Sequence, residues 1–330
     1  IVAILDTGAK LDHPEFSERI WINSSEFVNG IDSDWNGYVD DNYGGWDFVN
    51  NDNEPIDDHG HGTHVTGIAL AEGNNNIGYA GVNWNSKIMI CKVLDMNNTG
   101  WYSDWADAVY YAVDNGANVI NMSLIGYDSS YLLQQAIMYA NSFNVPVVVS
   151  AGNDNAMTLM YPAQYSDFSV GSTDSDDSRS SAFSGNISSG SNAGLTLDFV
   201  APGNFIYGLS HLSNTSSAIF SGTSMAAPQL TGLISLLLSI NPNLTISELQ
   251  TILQESSEDQ VGDSDDTEGW DMFYGHGRIN AFSALSYLVE QIASFTENNN
   301  SSMKGDLIKK IDILGRDTNS TGFNIEIYDD

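Results

Sequence analysis

Residues 1–8 read Ile-Val-Ala-Ile-Leu-Asp-Thr-Gly. An unbroken apolar run closes on Asp6 and meets a turn signal at Thr7-Gly8. A run this short, with no polar alternation, is the pattern of a strand buried on both faces, as in a parallel sheet. Similar runs recur at Ile88–Val93, Val119–Met122, Val145–Val149 and Phe199–Ala201. Helical patterns lie between them. One, His61–Ala71, opens after Gly60. Another, Ser103–Asn115, starts on a cap-like serine and stops at Asn115-Gly116, and Ser130–Phe143 ends before Val145-Pro146. Later helices are expected at Thr223–Ile240, Ile246–Glu255 and Ala281–Gln291. Alternating strands and helices predict an α/β fold, a doubly wound and mostly parallel sheet flanked by helices.

The composition supports a large core. Of 330 residues, 42% are hydrophobic and 11% aromatic, which excludes global disorder. There are 43 acidic and 10 basic side chains, for a net charge of −33, yet only 16% of residues are charged. The charge thus reflects scarce Lys and Arg. Without clusters of these residues the chain has no means of neutralising phosphates, so nucleic acid is excluded as a partner, as is a polybasic membrane patch. The longest apolar stretch, near Leu233–Ile240, is broken by Ser235 and Ser239. It falls short of the ~20 residues that cross a bilayer, so no membrane span is expected. A single cysteine, Cys91, excludes an intrachain disulfide framework and any multi-cysteine metal site. The sequence starts abruptly in a strand with no signal peptide, and the expectation is that processing or fragmentation removed what came before. We read residues 1–294 as the main domain, 295–303 (FTENNNSSM) as a polar linker and 304–330 as the start of a β-rich C-terminal segment. That segment has strands at Leu307–Leu314 and Phe323–Tyr328.

Three motifs carry chemistry. Asp6 ends the first strand in ILDTG, His61 opens a helix in HGTHVTG, and Ser224 starts the long helix in SGTSMAAP. Singly they have ordinary explanations as a turn former, a surface histidine and an N-cap. Jointly they supply what a hydroxyl nucleophile requires. Sites in open α/β sheets form at the carboxyl ends of the strands. A serine at a helix N-terminus has free amides and the helix dipole beside it to receive a developing oxyanion. Its hydroxyl needs a base, for which histidine is suited near neutral pH, and the imidazole needs a carboxylate to fix its tautomer.

The order Asp, His, Ser and these three motifs resemble the subtilisin-like serine endopeptidases, the subtilase family, over about residues 1–290. The resemblance implies a subtilisin-like fold, with Asp6 orienting the histidine, His61 as general base then acid, and Ser224 as nucleophile. In VVVSAGND it implies an oxyanion-hole role for Asn153, beside the Ser224 N–H. INMSL, at Ile120–Leu124, is similar to the family's substrate-pairing edge, so Ser123, Leu124 and Ile125 are expected to line an extended peptide. Ile125-Gly126 stands where the family usually has Gly-Gly. In TLMYPA, Met160 stands where a small residue often lines the primary specificity pocket; it favours small P1 side chains, whereas Asp154 favours a basic neighbour, and the preference stays open. The implied partners are protein or peptide substrates and a pro-segment removed on maturation. The implied location is extracellular or at the cell surface.

The segment Asn29–Asp58 is rich in Asp, Asn and Gly. In DSDWNGYVDD the residues Asp32, Asp34, Asn36 and Asp40 alternate around Gly37, like the start of a calcium loop, but Tyr43 stands where the bidentate Glu belongs. A second set, Asp47, Asn50, Asp52 and Glu54, lies where thermitase-like family members hold calcium. A third family site is similar to Gly73–Gly81 with Glu15. Structural calcium is therefore the expected cofactor, with none needed for the chemistry. Two alternatives remain on the sequence alone: a catalytically weak or inactive subtilisin fold acting as a binding module, and a calcium-dependent structural protein.

Overall fold

A computed structural model describes residues 1–16, 18–299, 307–312 and 324–328. The chain divides into two compact units, Ile1–Ile279 and Asn280–Asp330. The first contains a seven-stranded sheet. Its strands are β1 (Val2–Asp6), β2 (Gly45–Asp47), β3 (Ile88–Lys92), β4 (Val119–Met122), β5 (Val147–Ser150), β6 (Phe168–Thr173) and β7 (Phe199–Pro202). The order is β2-β3-β1-β4-β5-β6-β7, and every pairing is parallel. Chain order reverses direction at β1, so the crevice beyond the carboxyl ends of β1 and β4 is the switch point where α/β sheets build sites.

Strand alternation divides the core. Ala3, Leu5, Met89, Cys91, Ile120, Met122, Val147 and Val149 join a buried cluster with Trp105, Val109, Leu133 and Ile137. The last four residues belong to α2 (Tyr102–Asp114) and α3 (Tyr131–Ser142). The intervening strand residues point the other way. Among them Asn121 accepts a hydrogen bond from the Thr231 hydroxyl at 2.9 Å, on α4 (Thr223–Ile240). Helix α1 (His61–Leu70) packs against α4. By length and composition α4 could cross a membrane, but 78% of it is buried inside the fold, so it is a core helix. Helix α5 (Ile246–Ser256) begins with the Thr245/Glu248 capping box.

Strands β2 and β6 and a hairpin before α4 are absent from the sequence reading. Strand β6, FSVGST, is entirely buried although three of its residues are Ser or Thr and one is Gly. Its serines find partners: the Asp198 carboxylate accepts the Ser169 N–H and hydroxyl, and Ser172 bonds Ser180. An antiparallel hairpin, β8 (Ile206–Leu209) and β9 (Ser217–Phe220), precedes α4.

In the second unit, α6 (Ala281–Asn299) runs five residues into the stretch expected as linker. Phe295 to Asn299 contain no Gly or Pro to stop a helix. Positions 300–303 of that expectation lie outside the described residues. Strands β10 (Leu307–Asp312) and β11 (Asn324–Tyr328) pair antiparallel. Ile313, Leu314 and Phe323, also expected in strands, lie outside the described residues.

Candidate active site

Asp6 is the last residue of β1 and is wholly buried. Its Oδ1 accepts the Thr7 N–H at 2.8 Å and faces His61 Nδ1 at 2.7 Å. Two glycines permit this approach. A Cβ on Gly62 would lie 2.0 Å from the Gly8 carbonyl oxygen, and Gly60, with φ of +109°, lets the chain turn into α1 at His61. The histidine side chain is 12% exposed. Burial disfavours its cation, but the charge and hydrogen bond of Asp6, with a further contribution from Asp57, outweigh that and raise its pKa. His64, one turn on, is fully buried under Phe220 with Nε2 3.1 Å from the Ile206 carbonyl oxygen. Burial pushes its pKa down to about 4, so it is neutral at ordinary pH and packs rather than reacts.

Ser224 is the second residue of α4, so its backbone N–H has no intrahelical partner. Pro228 inside α4 has no N–H to give to the Ser224 carbonyl. The Ser123 hydroxyl donates to that carbonyl instead, at 2.9 Å, binding the end of β4 to the start of α4. The Ser224 hydroxyl donates to the Ser123 carbonyl at 3.3 Å. His61, Asn153, Phe220 and Ser224 line one open cleft of about 240 Å³.

Asn153 follows β5. Its Oδ1 accepts two bonds from Thr223, the N–H at 2.9 Å and the hydroxyl at 3.0 Å. Both are donors, so they fix the oxygen end of the amide and leave Nδ2 to donate into the cleft. The sequence alone does not single out Thr223, which reads there only as part of the Gly-Thr-Ser turn.

The segment after β4 is extended. Gly126 pairs with Tyr161 through N–H and C=O bonds of 2.7 and 3.0 Å. Alternation turns the Ile125 main chain to the opposite side, and among the described residues its N–H and C=O carry no hydrogen bond. Leu124 is buried, and its carbonyl accepts the Ser150 hydroxyl. Met160 lies across Gly152, its Cγ 2.7 Å from where a Cβ would sit. Asp154 is exposed, and its N–H is held by Asn192 Oδ1 at 2.9 Å.

The acidic loop assembles only in part. Among the described residues the carboxylates that converge within 4.8 Å are Glu26, Asp32 and Asp34. Glu26 is absent from the sequence reading because it precedes the alternating run. Asp40 is drawn off to the amides of Asn29 and Gly30 at 2.8 and 3.0 Å. Asn36 braces the cluster, donating to Asp34 and to the buried Asp41. Asp47, Asp52 and Glu54 do not converge in this way. Asp47 instead accepts the Val49 and Asn50 N–H groups and the Asn50 side chain, and Asp52 accepts the Glu54 N–H, as Asx turns do. The Glu26 group offers only oxygen ligands, and none of its carboxylates pairs with a Lys or Arg among the described residues. Such a donor set fits a hard cation. At Gly73–Gly81, Glu15 is buried with Oε2 bonded to Asn75 and Oε1 without a partner. Burial raises its pKa, and an orphaned carboxylate oxygen of this kind fits a cation too.

The sequence profile of the subtilase family matches residues 1–277. The chain belongs to the subtilase family. It is 36% identical over 287 residues to the thermophilic serine proteinase of Bacillus sp. (strain AK1), covering 87% of this chain and 61% of that protein. It is 34% identical over 287 residues to thermitase of Thermoactinomyces vulgaris, covering 87% of this chain and 88% of thermitase. The solved structure of a cold-adapted subtilisin-like serine proteinase superposes with a TM-score of 0.66 at 30% identity, over 84% of this chain and 86% of that one. The subtilase domain is accordingly of the serine-type endopeptidase class, a peptide-bond hydrolase on a subtilisin-like fold. The chain spans less than two thirds of the length of the AK1 proteinase.

Proposed function

We propose that this subtilase is an active secreted endopeptidase in which Ser224 is the nucleophile, His61 the general base and acid, Asp6 its orienting carboxylate and Asn153 an oxyanion donor. The observation that carries the reading is the Asp6–His61 bond of 2.7 Å sharing one cleft with Ser224 and an Asn153 amide whose oxygen end is already committed. In this account His61 Nε2 takes the Ser224 proton as Oγ attacks the scissile carbonyl, and Asp6 stabilises the imidazolium that results. Asn153 Nδ2 and the Ser224 N–H receive the oxyanion. His61 then protonates the leaving amine, and water releases the acyl group by the reverse relay. The Ser224 hydroxyl, held here by the Ser123 carbonyl, turns to His61 when substrate closes the site, as catalytic bonds often tighten only in the complex.

The substrate strand pairs with the free main chain of Ile125, flanked by Ser123 and Leu124. Met160 against Gly152 shortens the P1 pocket, which favours small P1 side chains over the basic residue that Asp154 alone would suggest. Calcium is held by Glu26, Asp32 and Asp34, braced by Asn36, and at Glu15 with the Gly73–Gly81 loop. It supplies rigidity, since these loops otherwise lose conformational entropy on folding. Secretion follows from function: an unregulated peptidase is hazardous in a cytosol. A pro-segment, common in the family, is the expected folding partner.

Cleavage of a peptide library, read by mass spectrometry, tests this. Cleavage after Ala, Ser or Gly that vanishes in Ser224→Ala supports it. A folded, calcium-supplied wild type that cleaves nothing overturns it in favour of a binding module.

A further inference from the structure

Asp57 stands outside the triad, four residues before His61, and is only 6% exposed. Its carboxylate accepts five hydrogen bonds. Oδ1 takes the Thr7 hydroxyl at 2.8 Å and the N–H groups of His59 and Gly60 at 3.0 and 2.7 Å. Oδ2 takes the Thr63 N–H at 2.8 Å and the Thr63 hydroxyl at 2.6 Å. Thr7 directly follows Asp6, and its own hydroxyl oxygen accepts the Gly62 N–H at 2.8 Å. One side chain therefore joins the turn after Asp6 to the residues on both sides of His61. It also caps α1, whose N-cap residue Gly60 offers no side chain. The backbone supports the same register, with Asp57 N–H on the Ala9 carbonyl at 3.2 Å and Ala9 N–H on the Pro55 carbonyl at 3.0 Å.

We propose that Asp57 is a positioning residue of this active site, a clamp that sets the Asp6–His61 pair and adds its negative charge to the field at the imidazole. The proposal rests on the catalytic reading above. Other groups face His61 from each neighbouring element. Asp6 comes from β1, His59 from the preceding turn with ring centroids 6.3 Å apart, His64 from the same helix, and Ser224 from α4. From β9 comes the uncharged ring of Phe220. The cation on this side is Lys92, which binds Asp58 at 2.6 Å and the Thr7 carbonyl at 2.8 Å. It pulls on the same turn but does not contact Asp57's five donors.

The test uses the full chain with histidine-selective labels. By NMR in a Ser224→Ala background, Asp57→Asn lowers the His61 titration midpoint, by up to about one unit, while His276 stays put. This readout needs no activity, so it decides the proposal even if the wild type cleaves nothing, a result that would instead sink the catalytic reading. In the active protein, Asp57→Ala lowers kcat roughly 10- to 100-fold with KM changed less than about threefold, as expected for a small misplacement of the base. Asp57→Asn, which keeps one acceptor oxygen, recovers most of kcat but carries its acidic limb to lower pH. If Asp57→Ala does not fold, Asp57→Asn alone decides. An unmoved His61 midpoint together with an unmoved kcat, accompanied only by a lower Tm, overturns the proposal and leaves Asp57 a structural cap.

Discussion

Acid should destabilise this fold through His64 in particular. In the folded protein its pKa is about 4, against an ordinary value near 6.5. The unfolded chain therefore takes up the proton first as pH falls. The stability that His64 contributes as a neutral packed ring is whole above about pH 6.5 and drains away as pH approaches 4. A separation of about 2.5 units corresponds to about 3 kcal/mol in the limit, and to about 2 kcal/mol between pH 7 and pH 4.5. That is a large share of a typical 5–15 kcal/mol. The structural cost of the cation is plain: the ring is fully buried against Phe220, with Nε2 on the Ile206 carbonyl and Nδ1 without a hydrogen-bond partner among the described residues. The assay is urea unfolding at both pH values in a Ser224→Ala background, which prevents self-digestion, with and without His64→Gln. The substituted glutamine would keep a donor for the Ile206 carbonyl but cannot titrate. The variant should be weaker at pH 7 and should lose about 2 kcal/mol less on acidification than its parent. Equal losses in the two proteins would refute the argument, since every other titrating group is common to both.

Three further outcomes are expected. Asn153→Ala should lower kcat about 10²- to 10³-fold with KM nearly unchanged in steady-state peptide kinetics, the size of effect seen when the oxyanion-hole asparagine of subtilisin is removed. Met160→Gly should move P1 preference from small toward large side chains in a peptide library, with at least a roughly tenfold change in relative kcat/KM between Ala and Phe. Calcium at 100 times its Kd should add about 2.7 kcal/mol per occupied site, so chelation should lower Tm, and Glu26→Gln should shrink that drop, measured by calorimetry.

The proposed triad is legible in the sequence because each member sits at a forced backbone position: a strand end, a glycine-flanked helix start, a Gly-Thr-Ser turn. Asn153 is legible for the same reason. What stays hidden depends on contacts distant in sequence. Nothing local tells that Thr223 orients Asn153, or that Asp57 gathers donors from Thr7 and Thr63. Strand β6 escapes the sequence reading because its serines look like turn residues until Asp198 and Ser191 are folded over them. The hairpin of β8 and β9 lies in a Ser/Asn-rich stretch whose pattern carries no clear period. Alternating acidic residues mark the candidate calcium loop in the sequence, but tight turns use carboxylates on their own amides. Asp40 and Asp47 therefore go to backbone N–H groups, while Glu26 arrives from outside the run.

The central claim is that Ser224 is an activated nucleophile. Its most direct test is labelling with a fluorophosphonate probe, followed by digestion and mass spectrometry to locate the adduct. The account predicts a single phosphonylated residue, Ser224, with labelling abolished in Ser224→Ala and strongly slowed in His61→Ala. A folded, calcium-supplied protein that takes up no label, or takes it up on another serine, would contradict it.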